Sequence, residues 1–202
     1  VCSAMSRVIV HESRAAEMLE RAERVARSLS VGPGIDRPET GPTMGAIVSD
    51  AQRDRAVGMI ARAEEQGARV VTGGRKLNRP GAFLEPTVLS SVTADMEIAQ
   101  QEVFGPVLSV LSFRDEAEAI EIANGTEYGL VAGVFTADLD RATRAARQLR
   151  AGQVFVNEWF AGGVETPFGG YGKSGYGREK GREALWNYVQ TKNVALKLKG
   201  IP

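Results

Sequence analysis

The chain carries one cysteine, Cys2, and one histidine, His11. A thiolate is a stronger nucleophile than a hydroxyl, so Cys2 is the side chain best suited to covalent chemistry. The competing reading is a lone cysteine packed as a small hydrophobe. A Cys–His hydrolase would need Cys2 and His11 to meet, although only a short strand-like run separates them, which argues against that pairing. The glycine-rich segment Pro167-Phe168-Gly169-Gly170-Tyr171-Gly172-Lys173-Ser174-Gly175 invites two phosphate-binding readings, and both fail. Gly172-Lys173-Ser174 ends like a P-loop, but the first position of that motif falls on Pro167, which has no N–H, and no strand leads into it. Gly170, Gly172 and Gly175 match G-x-G-x-x-G, yet a dinucleotide fingerprint opens from a strand and finds an acidic residue roughly 20 positions later. That place falls in Thr191 to Leu198, which holds no carboxylate. The segment reads as a surface or cleft loop that needs positive backbone torsions.

Three further segments gain meaning when read together. They are Val1-Cys2-Ser3-Ala4-Met5-Ser6-Arg7, Gln101-Glu102-Val103-Phe104-Gly105-Pro106-Val107, and Pro167-Phe168-Gly169-Gly170 continuing through Lys173-Ser174-Gly175 to Gly177-Arg178-Glu179. In order and separation they resemble the aldehyde dehydrogenase superfamily from its nucleophilic cysteine to its C-terminus, across essentially the whole chain. The resemblance implies that Cys2 attacks an aldehyde, that hydride then passes to NAD or NADP, and that water hydrolyses the resulting thioester. It makes the backbone N–H of Cys2 one oxyanion donor, Glu102 an acceptor for the ribose hydroxyls, and Phe104 the face beside the nicotinamide. Trp159, Phe160 and Phe168, with Asn157 and Glu158, fall in the region that shapes the aldehyde tunnel in relatives. Gln190 stands where relatives have a glutamate, and a Gln cannot serve as a base.

The family's glycine-rich cofactor region, general-base glutamate and oxyanion asparagine would all precede residue 1. The chain is therefore expected to be the catalytic part of a longer gene product, binding NAD or NADP mainly through the missing half and inactive alone. The alternative is a non-catalytic folding or assembly module.

The elements that must position these residues can be read from periodicity. Arg7 to Val10 is a β-branched strand, and Glu12 to Leu29 shows Ala15, Met18, Leu19, Ala22, Val25, Ala26 and Leu29 at helical spacing. Val31 to Thr43 reads as a Gly/Pro loop. Ser49 or Asp50 can cap a helix with Ala56, Met59, Ile60 and Ala63 on one face, ended by Gly67. Ala68 to Thr72, Phe83 to Leu89 and Val107 to Phe113 read as strands. Asp115 caps a helix through Ala123. Val131 to Thr136 is a strand, a helix after Asp138 carries Leu139, Ala142, Ala146 and Leu149, and Gln153 to Val156 is a strand. Glu179 to Val189 reads as helical. This alternation predicts an α/β fold, three-layer α/β/α with a mostly parallel sheet, and a C-terminal β arm. The expected domains are a catalytic domain over 1–190 and an oligomerisation arm over 191–202.

Composition narrows the partners. Lys plus Arg and Asp plus Glu number 25 each, so no basic field points to nucleic acid or anionic lipid. No apolar run approaches the length of a membrane span. One cysteine and one histidine argue against a disulfide framework or a structural zinc site, and suit the reducing cytoplasm. The partners that the resemblance implies are a small-molecule aldehyde and further copies of the chain. In the tail Val194, Leu196 and Leu198 alternate with Ala195, Lys197 and Lys199, which reads as a half-covered strand; the resemblance implies that it adds to a sheet of a neighbouring subunit in a homodimer or homotetramer, the alternative being that it folds back on its own domain.

Overall fold

Alternation along the strands sets the architecture, seen in a computed structural model that describes residues 1–36 and 43–200. Part of the expected loop over 31–43 and the last two residues of the expected arm thus lie outside the described residues. The first of two compact units spans Val1–Glu127. It runs β1 (Arg7–His11), a single 3-10 turn, α1 (Ala15–Ser28), α2 (Asp50–Glu65), β2 (Arg69–Thr72), β3 (Thr87–Ser90), α3 (Glu97–Gln100), β4 (Val107–Phe113) and α4 (Glu116–Asn124). The sheet order is β1-β4-β3-β2. β4 is parallel to both β1 and β3, and β2 is antiparallel to β3.

Successive side chains of a strand leave opposite faces. Val107 and Leu111 of β4, with Leu89 of β3, therefore join Ala56, Met59, Ile60 and Ala63 of α2. Val110 and Val88, one residue out of step, join Val10 and the Met18, Leu19, Ala22 and Ala26 stripe of α1. Helices on both faces of a mostly parallel sheet make the three-layer α/β/α arrangement expected. Each fully buried large aliphatic here stabilises by about 1.5–3 kcal/mol relative to exposure. The caps also match: Ser49 Oγ accepts from the Gln52 N–H at 3.1 Å, and Asp115 Oδ1 from the Glu118 N–H at 2.9 Å.

The second unit, Tyr128–Pro202, is built from shorter pieces. β5 (Tyr128–Gly129), β6 (Val131–Val134), α5 (Leu139–Gln148), β7 (Gln153–Val156) and β8 (Tyr171–Gly172) precede a 3-10 helix, Arg182–Tyr188. β6 and β7 are parallel, and β5 and β8 antiparallel. Asp138 Oδ1 caps α5 by accepting from the Arg141 N–H at 3.0 Å.

Three expectations need correction. The strand expected from Phe83 begins only at Thr87: Phe83 and Leu84 are buried, but Pro86 has no N–H to give a ladder. The expected helix Glu179–Val189 is a 3-10 segment preceded by Gly181, with no side-chain cap on its first turn. Leu139 lies on the exposed side of α5, whose buried residues are Ala142 and Ala145. In the tail no described residue from Lys192 to Lys199 is in a strand within this chain, and Val194, Leu196 and Leu198 are exposed. No described helix is long and apolar enough to cross a membrane.

Candidate active site

Cys2 lies in a turn closed by the Ala4 N–H donating to the Val1 carbonyl at 3.1 Å, and its thiol is exposed. The turn is tied down just behind it. Ser3 is buried, the Ser6 carbonyl accepts from the Ser109 N–H at 3.0 Å, and Arg7 begins β1. The Arg7 guanidinium donates to the Ile122 and Ala123 carbonyls at 3.1 and 3.0 Å. These carbonyls lie in the last turn of α4, where a cation is favoured. Burial pulls the Arg7 guanidinium below its ordinary pKa. The arginine of the Cys-containing motif is thus an anchor between β1 and α4.

Glu102 and Phe104 occupy the loop that leads into β4. Because β1 and β4 are parallel, with Arg7 opposite Ser109, the Cys2 turn and this loop both approach the amino-terminal ends of adjacent strands. Between Glu102 and Phe104, Val103 is buried in the main core. Two α2 side chains hold the backbone on either side. Gln52 Nε2 donates to the Val103 carbonyl at 2.8 Å and the Phe104 carbonyl at 3.2 Å, and an Arg55 terminal nitrogen donates to the Glu102 and Val103 carbonyls at 3.0 and 3.1 Å. Phe104 is held at φ 54° and is 54% exposed. A left-handed aromatic residue costs of order 1–3 kcal/mol and persists only where its surroundings over-determine it. The Glu102 side chain is exposed, and no hydrogen bond or ion pair engages its carboxylate among the described residues. Fixed backbone with outward-facing carboxylate and ring fits a pair of groups that grip a ribose and flank a nicotinamide.

Gln52 and Arg55 escaped the sequence reading. Their only signal is a spacing of three on α2, which puts two polar side chains together one turn before the Ala56–Met59–Ile60 face.

The three candidate wall residues lie in the second unit. Asn157 and Phe160 follow β7 at φ 58° and 63°. The Asn157 side-chain amide donates to the Thr136 carbonyl at 2.9 Å and accepts from its N–H at 2.8 Å, so it ties the end of β6 to the chain leaving β7. The rings of Trp159 and Phe160 meet edge to face, with centroids 6.3 Å apart. Phe168 exchanges two backbone hydrogen bonds of 2.7 Å with Glu179, and the Lys180 ammonium lies 5.7 Å from its ring centroid.

Beyond Phe168 the glycine-rich loop is shaped by two different needs. Gly172 and Gly175 have positive φ. Gly169 and Gly170 do not, and a Cβ there would strike the Gly177 carbonyl and Ser174 respectively. Arg178 closes the loop by donating to the Gly170 carbonyl at 3.0 Å and the Gly177 carbonyl at 2.8 Å. The Ser174 hydroxyl, which imitated a P-loop serine, accepts from the Gly129 N–H at 3.1 Å.

Comparison with known proteins adds an independent line. The profile of the aldehyde dehydrogenase family matches residues 1–194. A mitochondrial aldehyde dehydrogenase of Leishmania tarentolae is 43% identical over 194 residues, 96% of this chain and 38% of that protein. A betaine aldehyde dehydrogenase of Brucella anthropi is 44% identical over 202 residues, 98% of this chain and 41% of that protein. The solved NAD+ complex of an aldehyde dehydrogenase from Bacillus cereus superposes with a TM-score of 0.92 at 39% identity, covering 98% of this chain and 40% of that one. The chain spans about two fifths of the length of these relatives.

Proposed function

This chain belongs to the aldehyde dehydrogenase family, and from that premise we propose that it is the catalytic part of an enzyme that oxidises an aldehyde to a carboxylic acid through a thioester on Cys2. The observation that carries this reading is an exposed thiol held at the same end of one sheet as the Glu102–Phe104 loop. The Cys2 thiolate adds to the carbonyl carbon, and the carbonyl electron pair moves onto oxygen, where the Cys2 backbone N–H donates a hydrogen bond to it. NAD(P)+, when bound, supplies the hydride acceptor that turns the thiohemiacetal into a thioester. Water then cleaves the thioester, releasing the acid and restoring the thiol.

Glu102 accepts hydrogen bonds from the ribose hydroxyls, and Phe104 limits which face of the nicotinamide turns toward Cys2. Gln52 and Arg55 keep both residues in place. The water-activating base and the second oxyanion donor belong, on this reading, to polypeptide preceding residue 1.

The proposed organisation is a catalytic domain over 1–190 with an arm over 191–202, in the cytoplasm, where a lone thiol stays reduced. Trp159, Phe160 and Phe168 line the aldehyde site. The stretch 157–168 has no Lys or Arg to pair with a carboxylate, which supports apolar, aromatic or amino aldehydes over acidic semialdehydes. Exposed Val194, Leu196 and Leu198 support a tail that pairs with a second copy of the chain in a homodimer or homotetramer. Removing the residues after Lys192 should then lower the oligomeric state seen by light scattering, and an unchanged oligomer would refute the arm.

The activity is tested by following NAD(P)H on addition of aldehyde. The complete native polypeptide containing this chain should produce it, and the 202 residues alone should not, since positioning of the hydride acceptor needs groups outside them. No NAD(P)H from the complete polypeptide with any of a panel of apolar, aromatic and amino aldehydes would overturn the reading.

A further inference from the structure

Gly133 sits in the middle of β6, where its backbone has none of the positive torsion that would call for glycine. Its neighbours supply another reason. A Cβ at this position would stand 2.6 and 2.9 Å from Cζ3 and Cε3 of Trp159, and 3.5 Å from the Phe135 ring. Real Cβ contacts of the first kind essentially do not occur in close-packed proteins. Gly133 pairs with Phe155 on β7, and Phe155 is buried with its ring 5.6 Å from that of Trp159. Residues opposite one another and two apart share a face of a sheet. Gly133, Phe135 and Phe155 therefore form one face, aromatic except for a hole at Gly133, and the Trp159 indole lies over the hole. The chain reaches this position because Asn157 turns it back from the end of β7 with its double hydrogen bond to Thr136. Trp159 in turn abuts Phe160, which is 58% exposed.

We propose that Gly133 is a positioning residue for substrate selectivity: its missing side chain lets Trp159 sink onto the β6–β7 face and so sets how far the Trp159–Phe160 pair projects into the aldehyde site. This rests on the reading above that Trp159 and Phe160 line that site. The indole is rigid and wedged against Phe155, so an added methyl group at 133 has to lift it. Lifting it narrows the space for a bulky aldehyde while leaving a short one room to bind. Discrimination by a change of this size in an apolar pocket runs from about tenfold upward.

The test uses the complete native polypeptide containing this chain, with Gly133→Ala, Trp159→Leu and the double variant. The readouts are kcat/KM for propanal against benzaldehyde and the fluorine NMR spectrum of fluorotryptophan-labelled protein, in which the Trp159 resonance is the one lost in Trp159→Leu. Gly133→Ala should shift that resonance and move the benzaldehyde-to-propanal ratio about tenfold toward propanal, and in the Trp159→Leu background the same substitution should leave the ratio unchanged. If Gly133→Ala does not fold alone, recovery of folded protein in the double variant shows the same coupling. An unshifted resonance, or a ratio change that persists in the Trp159→Leu background, overturns the seat. A shifted resonance with no ratio change in either Gly133→Ala or Trp159→Leu leaves the seat standing, but overturns the wall reading and with it the selectivity role of Gly133.

Discussion

The two units fix their candidate residues by different means. In the first, each group rests on buried structure. Val103 sits in the core directly between Glu102 and Phe104, and Arg7 binds the C-terminal carbonyls of α4 five residues after Cys2. In the second, two-stranded ladders, α5 and a 3-10 helix leave few large side chains fully buried among the described residues. There the aromatic residues are placed by left-handed backbone at Asn157 and Phe160, by the Asn157 amide, and by glycines whose missing Cβ atoms admit close neighbours. A core that anchors chemistry from beneath resists change. The exposed side chains of the second unit can be changed at small cost in stability, although the glycines beneath them have no room for a Cβ, and such tolerance suits the substrate-selecting role proposed for them.

Substitutions can break or sharpen this contrast. The largest loss is expected from Leu111→Ala, since Leu111 is 1% exposed in the main core. It should cost about 3 kcal/mol in denaturant unfolding, whereas Phe160→Ala in the second unit should stay within about 0.5 kcal/mol while altering aldehyde preference. Comparable losses at both positions would erase the distinction. Gln52→Ala comes next. It leaves the part-buried Val103 carbonyl without the Gln52 donor and should cost about 1–2 kcal/mol, together with weaker NAD(P)+ binding by titration. Unchanged affinity would detach Gln52 from the cofactor loop. Ser49→Ala removes the cap of α2 and should cost about 1 kcal/mol with no effect on aldehyde preference.

The smallest effect concerns acid. The Arg141 N–H, first among several causes, holds the exposed Asp138 carboxyl below the usual carboxylate range. A depressed folded pKa means that its stabilising contribution is present above the unfolded value and is lost as pH falls through the folded one. Asp138→Asn keeps an acceptor at the cap, so it should flatten the acid side of the stability profile without moving the neutral value. An unchanged acid limb would show that the cap is electrostatically inert.

What the sequence conveyed about the fold follows the same division. The apolar strand Val107–Phe113, broken only by serines, and the helical face Ala56–Met59–Ile60–Ala63 were legible because a thick core enforces them. The cap Asp115, and Ser49 as one of two candidates with Asp50, were legible because a single side chain supplies the bond. Phe83–Leu84 misled because an apolar run reports burial, and here burial occurs in irregular backbone around Pro86. α3, with four residues, and the two-residue strands β5 and β8 are too short for any period. At the site, residue type singled out Cys2 as a candidate nucleophile and motif context then pointed to Glu102 and Phe104. The long-range hydrogen bonds of Gln52, Arg55 and Arg7 were invisible, because nothing local to those residues marks which carbonyl they will meet.

The central claim, that Cys2 forms the covalent intermediate, is tested most directly by acid-quenching the complete native polypeptide during turnover with aldehyde and NAD(P)+ and measuring the mass of the peptide that carries Cys2. That peptide should gain the acyl group of the aldehyde supplied, and Cys2→Ser should abolish both the adduct and turnover. An acyl group on another residue, or turnover within about tenfold of the parent in Cys2→Ser, would contradict it.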